Sequence, residues 1–183
     1  MTENKVDISN KEWIKKLSSN NEDLIKKSLE ELREKGNVDL IPDIAGILKN
    51  NQNEEIKKAV ISFFADLKDQ KSVINYVQFL KENKNLEDFH LLISTCWENG
   101  LDFSEHLQFF ADLIITADYY TTIESFTVVE GNVEKLNMEK RIKFSDYISK
   151  NSETISKEKK ALINELLSII NPNSGPFSYE PPE

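Results

Sequence analysis

The chain is poor in the residues that usually carry chemistry. It has one cysteine, Cys96, in 183 residues, which excludes an intrachain disulfide framework and a multi-cysteine zinc site. Its two histidines, His90 and His106, form no His-Glu-x-x-His element and have no acid pattern of a metal site around them. Five scattered glycines make neither a Gly-x-Gly-x-x-Gly turn nor a P-loop, so no phosphate cradle is encoded. Of 23 basic residues only Arg33 and Arg141 are arginines, and bidentate recognition of phosphate or carboxylate favours arginine. Four of the five prolines, Pro172, Pro176, Pro181 and Pro182, crowd the segment after residue 171, leaving Pro42 as the one helix breaker in the body. No run approaches the roughly 18 apolar residues of a membrane span, and Met1 to Asn10 lacks the apolar core of a secretory signal. With 32 acids against the 23 bases the formal charge is −9, which repels phosphate backbones and anionic headgroups. The expectation is a cytoplasmic protein with no nucleic-acid partner, no membrane association, no cofactor and no metal.

What is abundant is helical periodicity. Apolar residues recur at i, i+3, i+4 and i+7 in Leu24, Ile25, Leu29 and Leu32, in Ile41, Ile44, Ile47 and Leu48, and in Ile56, Val60, Phe63 and Leu67. Alternation bounded by hairpin turns is missing. The reading is all-α, with helices near 10–19, 22–35, 39–50, 54–68, 71–83, 86–98, 103–116, 118–130, 135–149 and 156–170. Ser9-Asn10-Lys11-Glu12 reads as a capping box opening the first helix, and Asp102-Phe103-Ser104-Glu105 has a similar form. Gly36, Gly100 and Gly131 read as helix ends, and Pro42 as a first-turn proline.

The short helices repeat with a period near 32. Asn21 to Leu29 lines up with Asn53 to Val60, and Leu40-Ile41-Pro42-Asp43-Ile44-Ala45-Gly46-Ile47-Leu48-Lys49 lines up with Ser72 to Lys81 without a gap. Leu40 to Leu48, followed by Glu55-Ile56-Lys57-Lys58-Ala59-Val60, resembles the HEAT and HEAT-like family of helix-pair repeats, with Lys57 where that family usually has arginine. The resemblance is specific over about residues 21–84; only its rhythm continues to about 170. It implies a short right-handed α-solenoid of antiparallel pairs over residues 1–170, in which the helices starting near 39, 71, 103 and 135 line the concave side. It also implies a protein-binding scaffold, since most of the family are of that kind. HEAT-like hydroxylases carry repeated His-Glu pairs, which His90-Leu91 and Glu105-His106 do not reproduce. Physics supports the stack independently, because one helix pair cannot bury its apolar face alone. Trp13, Ile14 and Leu17 at one end and Leu162, Ile163, Leu166, Leu167 and Ile170 at the other are the expected caps. A compact bundle with accidental self-similarity is the competing fold. The Pro-rich segment 171–183 is expected to be disordered or extended.

One asymmetry stands out. Residues 85–134 contain no lysine or arginine, yet hold ten acids and eight of the seventeen aromatics. Missing i, i+4 bases leave these carboxylates without local relief. An acidic, aromatic surface in the third and fourth repeats would explain the pattern, with rings as anchors and acids steering a basic protein or peptide partner. Phe89, Phe110 and Phe126 fit inward stripes. The candidate binding residues are therefore Trp97, Glu98, Asp102, Glu105, Gln108, Asp112, Tyr119 and Tyr120. Cys96 falls on an apolar stripe and reads as a buried thiol. No catalytic residue is assigned. The second reading is an enzyme or enzyme accessory subunit with a carboxylate-lined concave groove, using Glu105 and Asp112. Like charge disfavours self-association through the patch, so a monomer is expected.

Overall fold

The structure, a computed structural model, describes residues 3–35, 37–51, 53–153 and 155–171, with side chains except those of 3–9 and 35. The prolines of the 171–183 segment and Gly36 lie outside the described residues. Among the described residues ten α-helices follow in order: α1 (Glu3–Leu17), α2 (Glu22–Lys35), α3 (Ile41–Asn50), α4 (Glu54–Ala65), α5 (Ser72–Glu82), α6 (Phe89–Glu98), α7 (Leu107–Thr116), α8 (Tyr119–Val133), α9 (Met138–Asn151) and α10 (Lys157–Ile170). Short 3-10 turns at Val38–Leu40 and Ser104–His106 lead into α3 and α7. Among the described residues there is no strand, so the fold is all-α.

Local chemistry sets these boundaries. Asn53, Asp118, Asn137 and Ser156 each accept backbone N–H bonds at the starts of α4, α8, α9 and α10, satisfying donors that a helix start leaves open. Pro42 sits in the first turn of α3, where a missing N–H is harmless. Gly100 follows α6 with φ of 69°, the left-handed conformation that ends a helix. Three signals were decoys. Helix α1 runs back to Glu3, so Ser9 lies inside it. Gly131 lies inside α8 because Val129 and Val133 on either side are drawn into the core. Asp102 is not the cap residue of the turn at Ser104–His106: that position falls to Phe103, which supplies no side-chain cap bond.

The chain divides into two compact units after Asp102. In the first, α1 packs on α2 and α3 on α4, while each helix also meets the one two places along: α1 on α3, α3 on α5, α2 on α4, and α4 on α6. Its core is formed by residues such as Ile25, Leu29, Ile44, Ile56, Phe64 and Ile93. The Tyr76 ring stacks on Phe64 at 4.4 Å with 7° between planes. Residues one period apart touch: Gln70 Nε2 donates to Asp102 O at 2.7 Å, and Asp102 N–H donates back to Gln70 Oε1 at 2.8 Å.

The second unit repeats the scheme, with α7 on α8, α9 on α10, α7 on α9 and α8 on α10. Phe110, Ile114, Val128, Val129, Ile148 and Leu166 fill its core. Asn132, buried on α8, accepts the Phe103 N–H at 2.9 Å and donates to Val128 O at 2.8 Å, which satisfies backbone that would otherwise be stranded.

Of the expected end caps, Trp13, Leu17, Ile163, Leu166 and Ile170 are buried, while Ile14 faces outward.

Candidate functional site

The candidate residues are shared between the two units, three in the first and five in the second. In the first unit Trp97 and Glu98 close α6, both exposed, Trp97 at 44%. Asp102, also exposed, is held by its backbone pair to Gln70. Cys96, one residue before Trp97, faces the other way and is fully buried. Burial pushes its thiol well above the ordinary value, which makes it an inert core group.

In the second unit Glu105, Gln108 and Asp112 follow one another at i, i+3 and i+7, so they share the face of the α7 segment that meets α9. There the acids find partners. Lys140 Nζ donates to Glu105 Oε1 at 2.6 Å, and the Tyr147 hydroxyl donates to Asp112 Oδ1. The bond to Asp112 raises the Tyr147 pKa, because a phenol donating to a carboxylate resists losing its proton. The charge relief that residues 85–134 lack in sequence is therefore supplied in part from α9, outside the acidic stretch. Lys140 and Tyr147 stand seven residues apart, and that spacing is the signal in the sequence that matches the Glu105 to Asp112 face.

Tyr119 and Tyr120 are the most exposed of the aromatic candidates, at 68% and 66%, with rings in a T-shaped contact at 5.8 Å. They open α8 behind the N-cap Asp118, whose carboxylate accepts the Thr121 N–H at 3.1 Å and hydroxyl at 2.7 Å. Burial would raise the Asp118 pKa, but these bonds outweigh it and hold the carboxyl below its ordinary value. Glu105 and Tyr119 lie at opposite ends of α7, a helix of ten residues and thus about 15 Å long. The acid row and the tyrosine pair are consequently separate features.

Beside Tyr119 lies a groove of about 390 Å³ between α8 and α10, with Tyr119, Thr122 and Ile123 on one wall and Glu158, Lys159 and Leu162 on the other. Two of the three ammonium donors of Lys159 are committed to backbone carbonyls. Its Nζ donates to Ile115 O at 3.0 Å and Ala117 O at 2.6 Å, closing the carbonyl end of α7. Burial pushes the Lys159 pKa down, and the nearby Asp118 pulls part of it back. Neither the contact of Lys159 with α7 nor the groove is legible in the sequence, since nothing local in the chain joins residue 159 to residue 115.

Among the described residues no three His, Cys, Asp or Glu side chains are grouped to hold a metal ion, and no helix is long and apolar enough to cross a membrane. No protein-family model, curated protein or solved structure matches the chain.

Proposed function

We propose that this protein is a noncatalytic interaction module. In this reading residues 1–170 form a short, right-handed, HEAT-like α-solenoid, monomeric and cytoplasmic, that holds a protein or peptide partner with a basic surface. The packing of each helix on the one two places along, seen in both units, supports the stacked-pair architecture.

The observation that carries the binding role is the exposure of Trp97, Tyr119 and Tyr120 at 44%, 68% and 66% in a chain that buries most of its other large aromatics. A ring of this size has about 150–250 Å² to bury, so each leaves on the order of 100 Å² open, worth roughly 2–3 kcal/mol of gross burial on contact with a partner. Acids stand next to the rings, Glu98 beside Trp97 and Asp118 beside Tyr119, which favours a basic partner. The carboxylates on α7 weigh against the enzymatic alternative, because Glu105 is tied to Lys140 and Asp112 to Tyr147.

The test is quantitative affinity capture with the wild type and with a variant carrying Glu98→Lys, Asp102→Lys and Glu105→Lys, in low and high salt. Partners captured by the wild type at low salt should be lost from the variant and released by salt, since exposed charges are screened beyond about 10 Å at 0.1 M. Capture that is indifferent to both salt and the substitutions refutes an acidic recognition surface.

A further inference from the structure

We propose that the groove between α8 and α10 receives one basic side chain, lysine or arginine, from an extended segment of a partner protein. This rests on the interaction reading above and names the partner's chemistry at one place.

The groove is built for a side chain with an apolar stem and a cationic head. Its walls are apolar at Tyr119, Ile123 and Leu162, and helical spacing extends both faces. On α8, Phe126 and Glu130 follow Tyr119 and Ile123 at seven-residue spacing; on α10, Glu165 and Ile169 follow Glu158 and Leu162 in the same way. Phe126, Leu162 and Ile169 are half-buried, whereas Glu130, Glu158 and Glu165 are exposed. Glu158 stands on the groove itself, and by helical spacing the groove's apolar strip continues toward Phe126 and Ile169, with Glu130 and Glu165 on the same faces.

The cations nearby do not neutralise those carboxylates. Lys159 spends two donors on the Ile115 and Ala117 carbonyls and lies close to Asp118. Lys157 and Lys160 project about 100° or more around α10 from Glu158 and Leu162, at 100° per residue. An acidic occupant would meet Glu158 and Glu165, and Lys159 beside them has only one donor left to offer it. A purely apolar occupant would bury the apolar strip while leaving the carboxylates unused. A lysine or arginine meets both requirements: its methylenes lie against Ile123 and Leu162, and its head reaches the face of Tyr119 or the carboxylate of Glu158. The bonds that Glu158 receives from backbone N–H and from Ser156 keep that carboxylate ionised, with its pKa below the ordinary value.

The probe is a labelled pentapeptide of alternating lysine and leucine, titrated into the full chain by fluorescence anisotropy, with a glutamate-for-lysine peptide as its opposite. The lysine peptide should bind and the glutamate peptide should not. Amide shifts should centre on Tyr119, Ile123 and Leu162. Tyr119→Ala should weaken binding about tenfold, and Glu158→Gln with Glu165→Gln about fivefold, the scale of exposed charge pairs. Tyr119 is so exposed that its removal leaves the fold standing, which a thermal melt checks. Met138→Ala with Ile142→Ala, removing exposed apolar groups on α9, should change nothing.

Equal binding of both peptides, shifts centred elsewhere, or insensitivity to the α8 and α10 substitutions would overturn the proposal. So would protection of the groove by self-association, which would make a second copy the occupant. If the peptide fails while capture still depends on Glu98, Asp102 and Glu105, this inference is wrong and the interaction reading stands; if both fail, both are wrong.

Discussion

Replacing Tyr76 by phenylalanine removes a single buried hydroxyl. Tyr76 is wholly buried in α5; its hydroxyl donates to Leu92 O at 2.9 Å and lies 2.7 Å from Thr95 Oγ1. In Tyr76→Phe the stack on Phe64 persists, and Thr95 Oγ1 still donates to Leu92 O at 2.8 Å, so that carbonyl keeps a partner. The expected loss near neutral pH is that of one net hydrogen bond, about 1 kcal/mol within a range of roughly 0.5–1.5.

Burial also holds the folded phenol protonated well above its ordinary value, with a further push from Cys96. The unfolded phenol ionises near pH 10. Above that pH the unfolded chain has lost a proton that the folded chain keeps, so wild-type stability falls by about 1.4 kcal/mol per pH unit. The phenylalanine variant lacks this loss. The wild-type advantage is complete below about pH 9 and vanishes where RT ln(1 + 10^(pH − 10)) reaches about 1 kcal/mol, at about pH 10.6. For the range given, the crossing falls between about pH 10.1 and 11.1.

Cys96 is present in both proteins and cancels from the difference. Urea unfolding at a series of pH values from neutral to beyond the crossing, followed by tryptophan emission, reads the first unit alone, because the two tryptophans are Trp13 and Trp97. Stability differences that run parallel throughout would refute the reasoning, since they would mean that the phenol ionises in the folded state as freely as in the unfolded one.

Asn132→Ala should destabilise the second unit by about 2 kcal/mol, by stranding the buried Phe103 N–H; circular dichroism during urea unfolding measures it. Gly100→Ala should cost about 1 kcal/mol through the left-handed backbone alone, because an added Cβ meets no atom within 4 Å; a thermal melt reads the shift. Asp118→Ala should cost about 1 kcal/mol through loss of the α8 cap. Since the folded Asp118 pKa is depressed, its contribution is complete above the unfolded value of about 3.9 and fades as pH falls through the lower folded value. The difference between wild type and variant should therefore shrink in acid, which urea titrations on either side of about pH 4 would show. Ile56→Ala, at a position with no solvent exposure, should cost about 3 kcal/mol, visible in tryptophan emission.

Much of the helical layout was legible because its signals are local. Pro42 and Gly100 act on their own turns and do in the structure what their positions imply, while the caps Asn53 and Asp118 are local signals of the same kind that the structure brought out. Helical periodicity placed Phe89, Phe110 and Phe126 inward, and the first two are buried while Phe126 is half-buried; Trp97, Tyr119 and Tyr120, set apart by their places at helix ends, are exposed. The signals that misled, Ser9, Gly131 and the Asp102–Glu105 quartet, are ones whose meaning depends on packing. A glycine ends a helix only if nothing beyond it is pulled inward, and Val133 is. Half of the candidate site was similarly hidden: the acids leading into and along α7 were visible, but their partners on α9 were not.

By itself, the amino-acid order determined that this chain is helical, where most helices begin and end, which aromatic rings face outward, and where the acids are concentrated. Those properties follow from interactions within a few residues, which spacing encodes directly. The tertiary structure alone decided what the acids and rings are near. It set Lys140 on Glu105, Tyr147 on Asp112 and Lys159 on the end of α7, and it opened a groove beside Tyr119 through pairings 35 to 44 positions apart. Electrostatic fate depends on distance in space, and space is what the stacking of helices supplies.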